Sequence, residues 1–204
     1  MKRIFRQHPS PLSYTDSTMR LFVGIPLANR IAQELAAICG RLRPDAPGLR
    51  WSAPESWHIT LQFLGTGSAE QLDCLTRRLA EVGSAPVLVR LGSLSVFDRA
   101  GVFLVEVELT PELEKLQQRV VDATAQCGFV AEQRPYRPHI TLARAKGEDR
   151  RQLRQIQARH SSAGLRAGGF TPFTAMEFLL YKSHLGPGGS KYEAKARFAL
   201  SGPA

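Results

Sequence analysis

The 204-residue sequence predicts an α+β fold of two pseudo-symmetric lobes, each an antiparallel sheet backed by helices, with a cleft between them. Three observations carry that expectation. The tetrapeptide His-Ile-Thr-Leu occurs twice on strand-like runs, from His58 in WHITLQFLG and from His139 in RPHITLARA. The order strand, helix, histidine strand, helix is also repeated. The copies keep their spacing: the histidines are 81 positions apart (58 to 139), and the helix starts at Leu27 and Pro111 are 84 apart. A pseudo-twofold axis between the copies sets the two His-Thr faces opposite each other.

The elements follow from local pattern. Arg20 to Pro26 (RLFVGIP) reads as a strand, and Leu27 to Leu42 as an amphipathic helix stopped by the proline- and glycine-containing loop 43–48. Trp57 to Leu64 is the first histidine strand, closed by Gly65. Ser68 to Val82 is a helix whose Ser68-Ala69-Glu70-Gln71 start resembles a capping box. Val87 to Phe97 and Val102 to Leu109 are strand-like. Thr110 caps the next helix and Pro111 suits its first position; Gly128 ends it beyond Cys127. Pro138 to Ala145 is the second histidine strand, and Asp149 to about His160 a basic helix. Two closing strands, Ala175 to Ser183 and Tyr192 to Leu200, are joined by the turn Gly186-Pro187-Gly188-Gly189. Residues 1–19 are expected to form a flexible N-terminal extension, and residues 20–204 a single bilobal domain.

Composition narrows the function. With 43% hydrophobic residues the chain can bury a core, and a net charge of +9 favours a polyanionic partner, nucleic acid first. No apolar run reaches the roughly 18 residues of a membrane-spanning helix, and the N-terminus has no continuous apolar stretch of a secretory signal. No membrane partner is expected. Cys39, Cys74 and Cys127 are odd in number, far apart and in no CxxC spacing, so they read as reduced, mostly buried thiols of a cytoplasmic protein. There is no HExxH, no GxSxG elbow, and no Walker or Rossmann glycine pattern, so no metal or cofactor is expected.

What remains is chemistry carried by histidine. Four of the five histidines are followed two residues later by Ser or Thr: His8, His58, His139 and His160. His8 lies in a polar stretch and His160 ends a basic helix; only His58 and His139 sit on strands. There alternation points His58 with Thr60, and His139 with Thr141, while the intervening isoleucines face the core. Imidazole serves as acid or base near neutrality, so two facing copies can deprotonate on one side of a substrate and protonate on the other.

The two HxT motifs, the RLFVGI opening, the FLG after the first motif and the LYKS…Y close resemble the 2H phosphoesterases. The branch is that of the bacterial and archaeal RNA 2′,3′-cyclic phosphodiesterases, historically called 2′-5′ RNA ligases. The resemblance covers about Arg20 to Leu200. It implies a metal-independent hydrolysis of RNA 2′,3′-cyclic phosphate ends to 2′-phosphomonoesters, with reverse joining of RNA ends in some members. It makes His58 the general acid and His139 the general base, with Thr60 and Thr141 holding the non-bridging phosphate oxygens. Arg144 stands where relatives carry a phosphate-binding arginine, although strict alternation puts it on the face opposite His139. Gln62 shares the face of His58 by the same alternation, where many relatives have Lys. Arg99 and Arg137 reach toward the cleft mouth or the open surface. Trp57, Phe97 and Tyr136 can stack on a base, although core or rim packing is their ordinary role. A monomer acting on RNA ends is expected. The alternatives are a phosphodiesterase for small cyclic nucleotides, ADP-ribose cyclic phosphate or 2′-5′ oligonucleotides, and a non-catalytic RNA-end binding module.

Overall fold

Strands form where β-branched and aromatic residues cluster, and helices where apolar residues recur every three to four positions. The computed structural model describes residues 18–161, 169–186 and 189–202. The expected N-terminal extension lies almost wholly outside them, as do His8 and the middle of the glycine-rich turn. Among the described residues ten strands and four α-helices occur in the order β1 (Met19–Pro26), α1 (Asn29–Leu42), β2 (Arg50–Trp51), β3 (His58–Gly67), α2 (Ala69–Ala80), β4 (Val87–Val89), β5 (Leu91–Phe97), β6 (Val102–Val107), α3 (Pro111–Ala125), β7 (His139–Arg144), α4 (Arg150–Ser161), β8 (Phe173–Ala175), β9 (Glu177–Gly186) and β10 (Gly189–Ala199).

Two four-stranded sheets result, β10-β9-β1-β3 and β2-β7-β6-β5, antiparallel throughout, with β4 and β8 pairing separately. The helix ends obey local chemistry. Ser68 accepts from the Gln71 amide while the Gln71 side chain accepts from the Ser68 amide, closing the capping box. Thr110 accepts from the Leu113 amide ahead of Pro111. Helix α1 starts at Asn29 rather than Leu27 because Ala28 is extended. Its Ile31, Leu35, Ile38, Cys39 and Leu42 form one buried stripe.

Two sequence expectations need correction, the single strand over 87–97 and the reduced cysteines, and two features were not foreseen. The stretch 87–97 is two strands in different sheets, broken at Arg90: β4 pairs with β8 and β5 with β6. The two-residue strand β2, too short to show periodicity, extends the second sheet. The two lobes also exchange elements. Helix α3 follows β6 of the second sheet yet packs on β3 of the first, beside α2, while β2 crosses from the first half to pair with β7. Finally, the cysteines are not all reduced. Cys74 on α2 and Cys127 just past α3 form a disulfide, leaving Cys39 free and buried, its thiol pushed up to about 11 by desolvation. A separation of 53 residues hides that pairing in the sequence; the packing of α2 on α3 creates it, and Gln71 spans the same gap to the Cys127 carbonyl at 3.2 Å. The compartment inference from reduced thiols loses its support. No helix among the described residues is long and apolar enough to cross a membrane.

Candidate active site

The histidine strands β3 and β7 come into contact, and each carries the same irregularity. Against β1 the register steps from Gln62 opposite Val23 to Thr60 opposite Gly24, so Leu61 is an extra residue. Against β6 it steps from Ala143 opposite Phe103 to Thr141 opposite Leu104, so Leu142 is extra. A bulge of one residue inverts alternation beyond it. Burial records the inversion: Leu61 and Gln62 are consecutive buried residues, as are Leu142 and Ala143, and Phe63 and Arg144 follow as exposed ones.

This decides two residues that alternation misplaces. Arg144 returns to the face of His139 and Thr141, and its positive charge reaches both histidines. Gln62 leaves the site: it is buried, and its Oε1 accepts from the Thr124 hydroxyl of α3 at 2.6 Å. Phe63 takes the face expected for Gln62 and is 67% exposed. The sequence reading did not single it out, and only the bulge reveals it.

Each imidazole is oriented by its own backbone. His58 Nδ1 lies 2.8 Å from the Ser56 carbonyl, and His139 Nδ1 2.8 Å from the Arg137 carbonyl. A carbonyl only accepts, so Nδ1 carries the proton and donates in both, leaving Nε2 of each neutral ring as the acting nitrogen. The Thr60 hydroxyl donates to His58 Nε2 at 3.1 Å. Gly24 makes room for this ring: a Cβ there would stand 2.9 Å from the Ile59 carbonyl oxygen and 3.3 Å from His58 Cδ2.

His58 lies within aromatic rings. Phe22 is 4.6 Å from it between centroids, Tyr192 meets it edge-on at 5.1 Å, and Tyr181 lies at 6.0 Å. Burial among them pushes its pKa down to about 4; the Ser56 bond opposes this, and the charges of His139 and Arg144 add to it. Among the described residues His139 has only Phe97 edge-on at 5.0 Å, with the Arg137 guanidinium over the Phe97 ring at 4.6 Å. Its pKa is also lowered, first by desolvation and then by Arg144 and Arg137. Both rings are therefore neutral at pH 7, ready to accept a proton at Nε2.

Thr60 and Thr141 are half-buried on the same faces as their histidines. Tyr136 is a strut whose hydroxyl donates to the Thr60 carbonyl at 2.9 Å, and Trp57 is buried in the core. Arg99 is exposed on the short turn before β6. Among the described residues no three His, Cys, Asp or Glu side chains converge as a metal site.

This arrangement has known counterparts. A family model described as the 2'-5' RNA ligase superfamily matches residues 27–183. A Bacillus subtilis (strain 168) protein named RNA 2',3'-cyclic phosphodiesterase is 31% identical over 191 residues, covering 88% of this chain and 96% of the relative. An Escherichia coli (strain K12) protein of the same name is 27% identical over 184 residues, 89% of this chain and 97% of the relative. Among solved structures, E. coli LigT complexed with 3'-AMP has a TM-score of 0.74 at 26% identity, covering 90% of this chain and 98% of that one. TT0787 of Thermus thermophilus has a TM-score of 0.72 at 25% identity, covering 91% and 100%.

Proposed function

The chain belongs to the 2'-5' RNA ligase superfamily, and from that premise we propose that it hydrolyses RNA 2′,3′-cyclic phosphate ends to 2′-phosphomonoesters without a metal. The observation that carries this reading is the duplicated, bulged HITL strand. It sets two neutral imidazoles, each with Nε2 left to act, within each other's field, with Arg144 beside them. Such a pair suits displacement at phosphorus. His139 takes a proton from the attacking water as the new oxygen–phosphorus bond forms. His58 gives its proton to the departing 3′ oxygen as that bond breaks. One turnover moves one proton from His58 to His139, and exchange with solvent resets the pair.

The acid role sets a condition on His58. Its pKa of about 4 in the free protein leaves little imidazolium at neutral pH, so its proton is gained with the substrate's phosphate in place, whose negative charge offsets burial and Arg144. Protonation has a second effect. An Nε2–H no longer accepts from Thr60, so the Thr60 hydroxyl is released to donate to a non-bridging oxygen. Thr141 and Arg144 hold the same charge from the other lobe. Phe63 offers an exposed ring to the terminal base. In this reading the protein acts as a cytoplasmic monomer on RNA ends.

The test is incubation in EDTA with a short RNA ending in a 2′,3′-cyclic phosphate, the product read by phosphorus NMR. A 2′-phosphate from wild type, and none from His58→Ala or His139→Ala, supports the reading. Turnover of adenosine 2′,3′-cyclic phosphate but of no RNA moves the substrate to small cyclic nucleotides. Binding of the RNA end without turnover makes the protein an end-binding module.

A further inference from the structure

Strand β2 is short, but it is firmly held and carries a charge at an informative place. Trp51 tucks toward the core, edge-on to Phe103 at 6.0 Å, with its indole N–H donating to the Ala46 carbonyl at 3.3 Å. The Ser52 amide donates to the Leu142 carbonyl at 2.8 Å. Because Trp51 pairs with Ala143 and faces inward, Arg50 faces outward, directly opposite Arg144. Directly paired residues of neighbouring strands share a face. The bulge at Leu142 has already put Arg144 on the face of His139 and Thr141, opposite Val102. Two arginines thus stand side by side at the end of the catalytic face, one on β7 and one on the sheet edge.

Like charges in that relation destabilise a sheet unless an anion lies between them. The ion pairs of the described residues include neither guanidinium, and both residues are exposed. Arg144 influences both histidines electrostatically, which places it by the reacting phosphate; no such influence of Arg50 is seen. Arg50 therefore lies farther from the histidines than Arg144 does, one strand over at the sheet edge. An RNA end held at the histidines has one chemical group to offer there. The terminal nucleotide continues through its 5′ oxygen to the preceding phosphodiester, a second anion one nucleotide from the cyclic phosphate.

We infer that Arg50 is a subsite for the phosphodiester on the 5′ side of the terminal nucleotide, and that it makes the site selective for oligonucleotide ends over cyclic mononucleotides. The inference rests on the cyclic phosphodiesterase reading. Its test compares kcat/KM for three substrates: adenosine 2′,3′-cyclic phosphate, the dinucleotide ApA ending in a 2′,3′-cyclic phosphate, and that dinucleotide with an uncharged methylphosphonate linkage. Wild type should prefer the charged dinucleotide, and the methylphosphonate should lose about tenfold, as expected for one charge-assisted contact. Arg50→Gln should lower the ratio of charged dinucleotide to mononucleotide about tenfold and no longer distinguish charged from uncharged linkages. Arg50→Lys should retain part of the ratio. The dependence of log kcat/KM on log salt should become shallower in Arg50→Gln by about 0.7, one phosphate contact on a single strand.

Equal losses on mononucleotide and dinucleotide would assign Arg50 to the reacting phosphate or to folding and overturn the subsite. So would a wild type indifferent to the linkage, a comparison that needs no variant. A wild type that turns over none of the three substrates defeats the cyclic phosphodiesterase reading and the subsite together, an outcome distinct from turnover without linkage preference.

Discussion

Strands β3 and β7 match in burial over their first six residues, HITLQF against HITLAR, and differ in identity only at the last two of these. The shared positions do the shared work. Ile59 and Ile140 are fully buried, the histidines donate to the carbonyl two residues upstream, and the bulges at Leu61 and Leu142 reverse the alternation. The sixth position, past each reversal, looks into the cleft, and there the lobes diverge. Phe63 makes the first lobe apolar and Arg144 makes the second cationic. The surroundings diverge likewise: three aromatic rings lie around His58, while Arg137 and Arg144 act on His139. Duplicated backbone geometry makes the two lobes alike, and the residues beyond the bulge break the likeness into an apolar and a cationic side, which under the proposed function are a base side and a phosphate side.

Breaking the shared part should cost most. His58→Ala and His139→Ala should each lower kcat about 10²–10⁴-fold, as loss of a general acid or base does. The double variant should fall far short of the product of the two, since both act in one step. Steady-state turnover of an RNA cyclic phosphate checks this. Gly24→Ala targets the fit of one strand alone. Its methyl meets the Ile59 carbonyl, which is backbone and cannot swing aside, so β3 must shift. A loss of at least tenfold in kcat is expected, with imidazole NMR signals of His58 moving more than those of His139.

The divergent part should cost less and in two different ways. Arg144→Ala should lower kcat/KM on every cyclic phosphate and flatten its salt dependence, because it removes a phosphate contact. Phe63→Ala should raise KM by roughly 5- to 100-fold, the usual worth of stacking one base, with the salt dependence unchanged. If both variants showed the same salt response, the division into base side and phosphate side would fail.

The pH dependence sharpens the comparison further. Both histidines have lowered pKa values, and the reacting complex of the proposed mechanism holds one proton more than the free protein with both rings neutral. The optimum of kcat/KM should therefore lie below 6.5, falling toward tenfold per pH unit on the alkaline side. The alkaline limb of kcat should lie higher, because bound phosphate favours the imidazolium. Stability gives the smallest effect. A buried neutral histidine binds its proton more weakly folded than unfolded, so the unfolded chain carries more protons and stability falls as pH drops from about 6.5 toward 4. Urea unfolding at several pH values should show that slope, reduced in His58→Ala.

The sequence makes the histidines, their threonines, the helix caps and the order of elements legible, because each depends on neighbours within a few positions. Ser68 and Gln71 cap α2 as their spacing suggests, and Thr110 with Pro111 opens α3. What escapes depends on pairing at a distance. Whether Arg144 or Gln62 faces the cleft turns on a single extra residue in each strand, which appears only against β1 and β6. The ring of Phe22, Tyr181 and Tyr192 around His58 needs the register of β1 with β9 and of β9 with β10. The Cys74–Cys127 bond needs α3 to cross to the other half's sheet, which runs against the duplication that the sequence suggests.

The first sheet also has a history during synthesis. Its inner strand β1 leaves the ribosome before every other described strand, and one of its two neighbours, β9, starts at residue 177. Until then β1 has one open edge, which its native partner fills only after residues 27–176 have been made. A chain released early, at residue 170 for example, would contain both histidines, both threonines and Arg144, yet lack Tyr181 and Tyr192 and leave strand edges open to aggregation. Premature termination therefore yields a misfolding-prone fragment for degradation rather than a partly active enzyme.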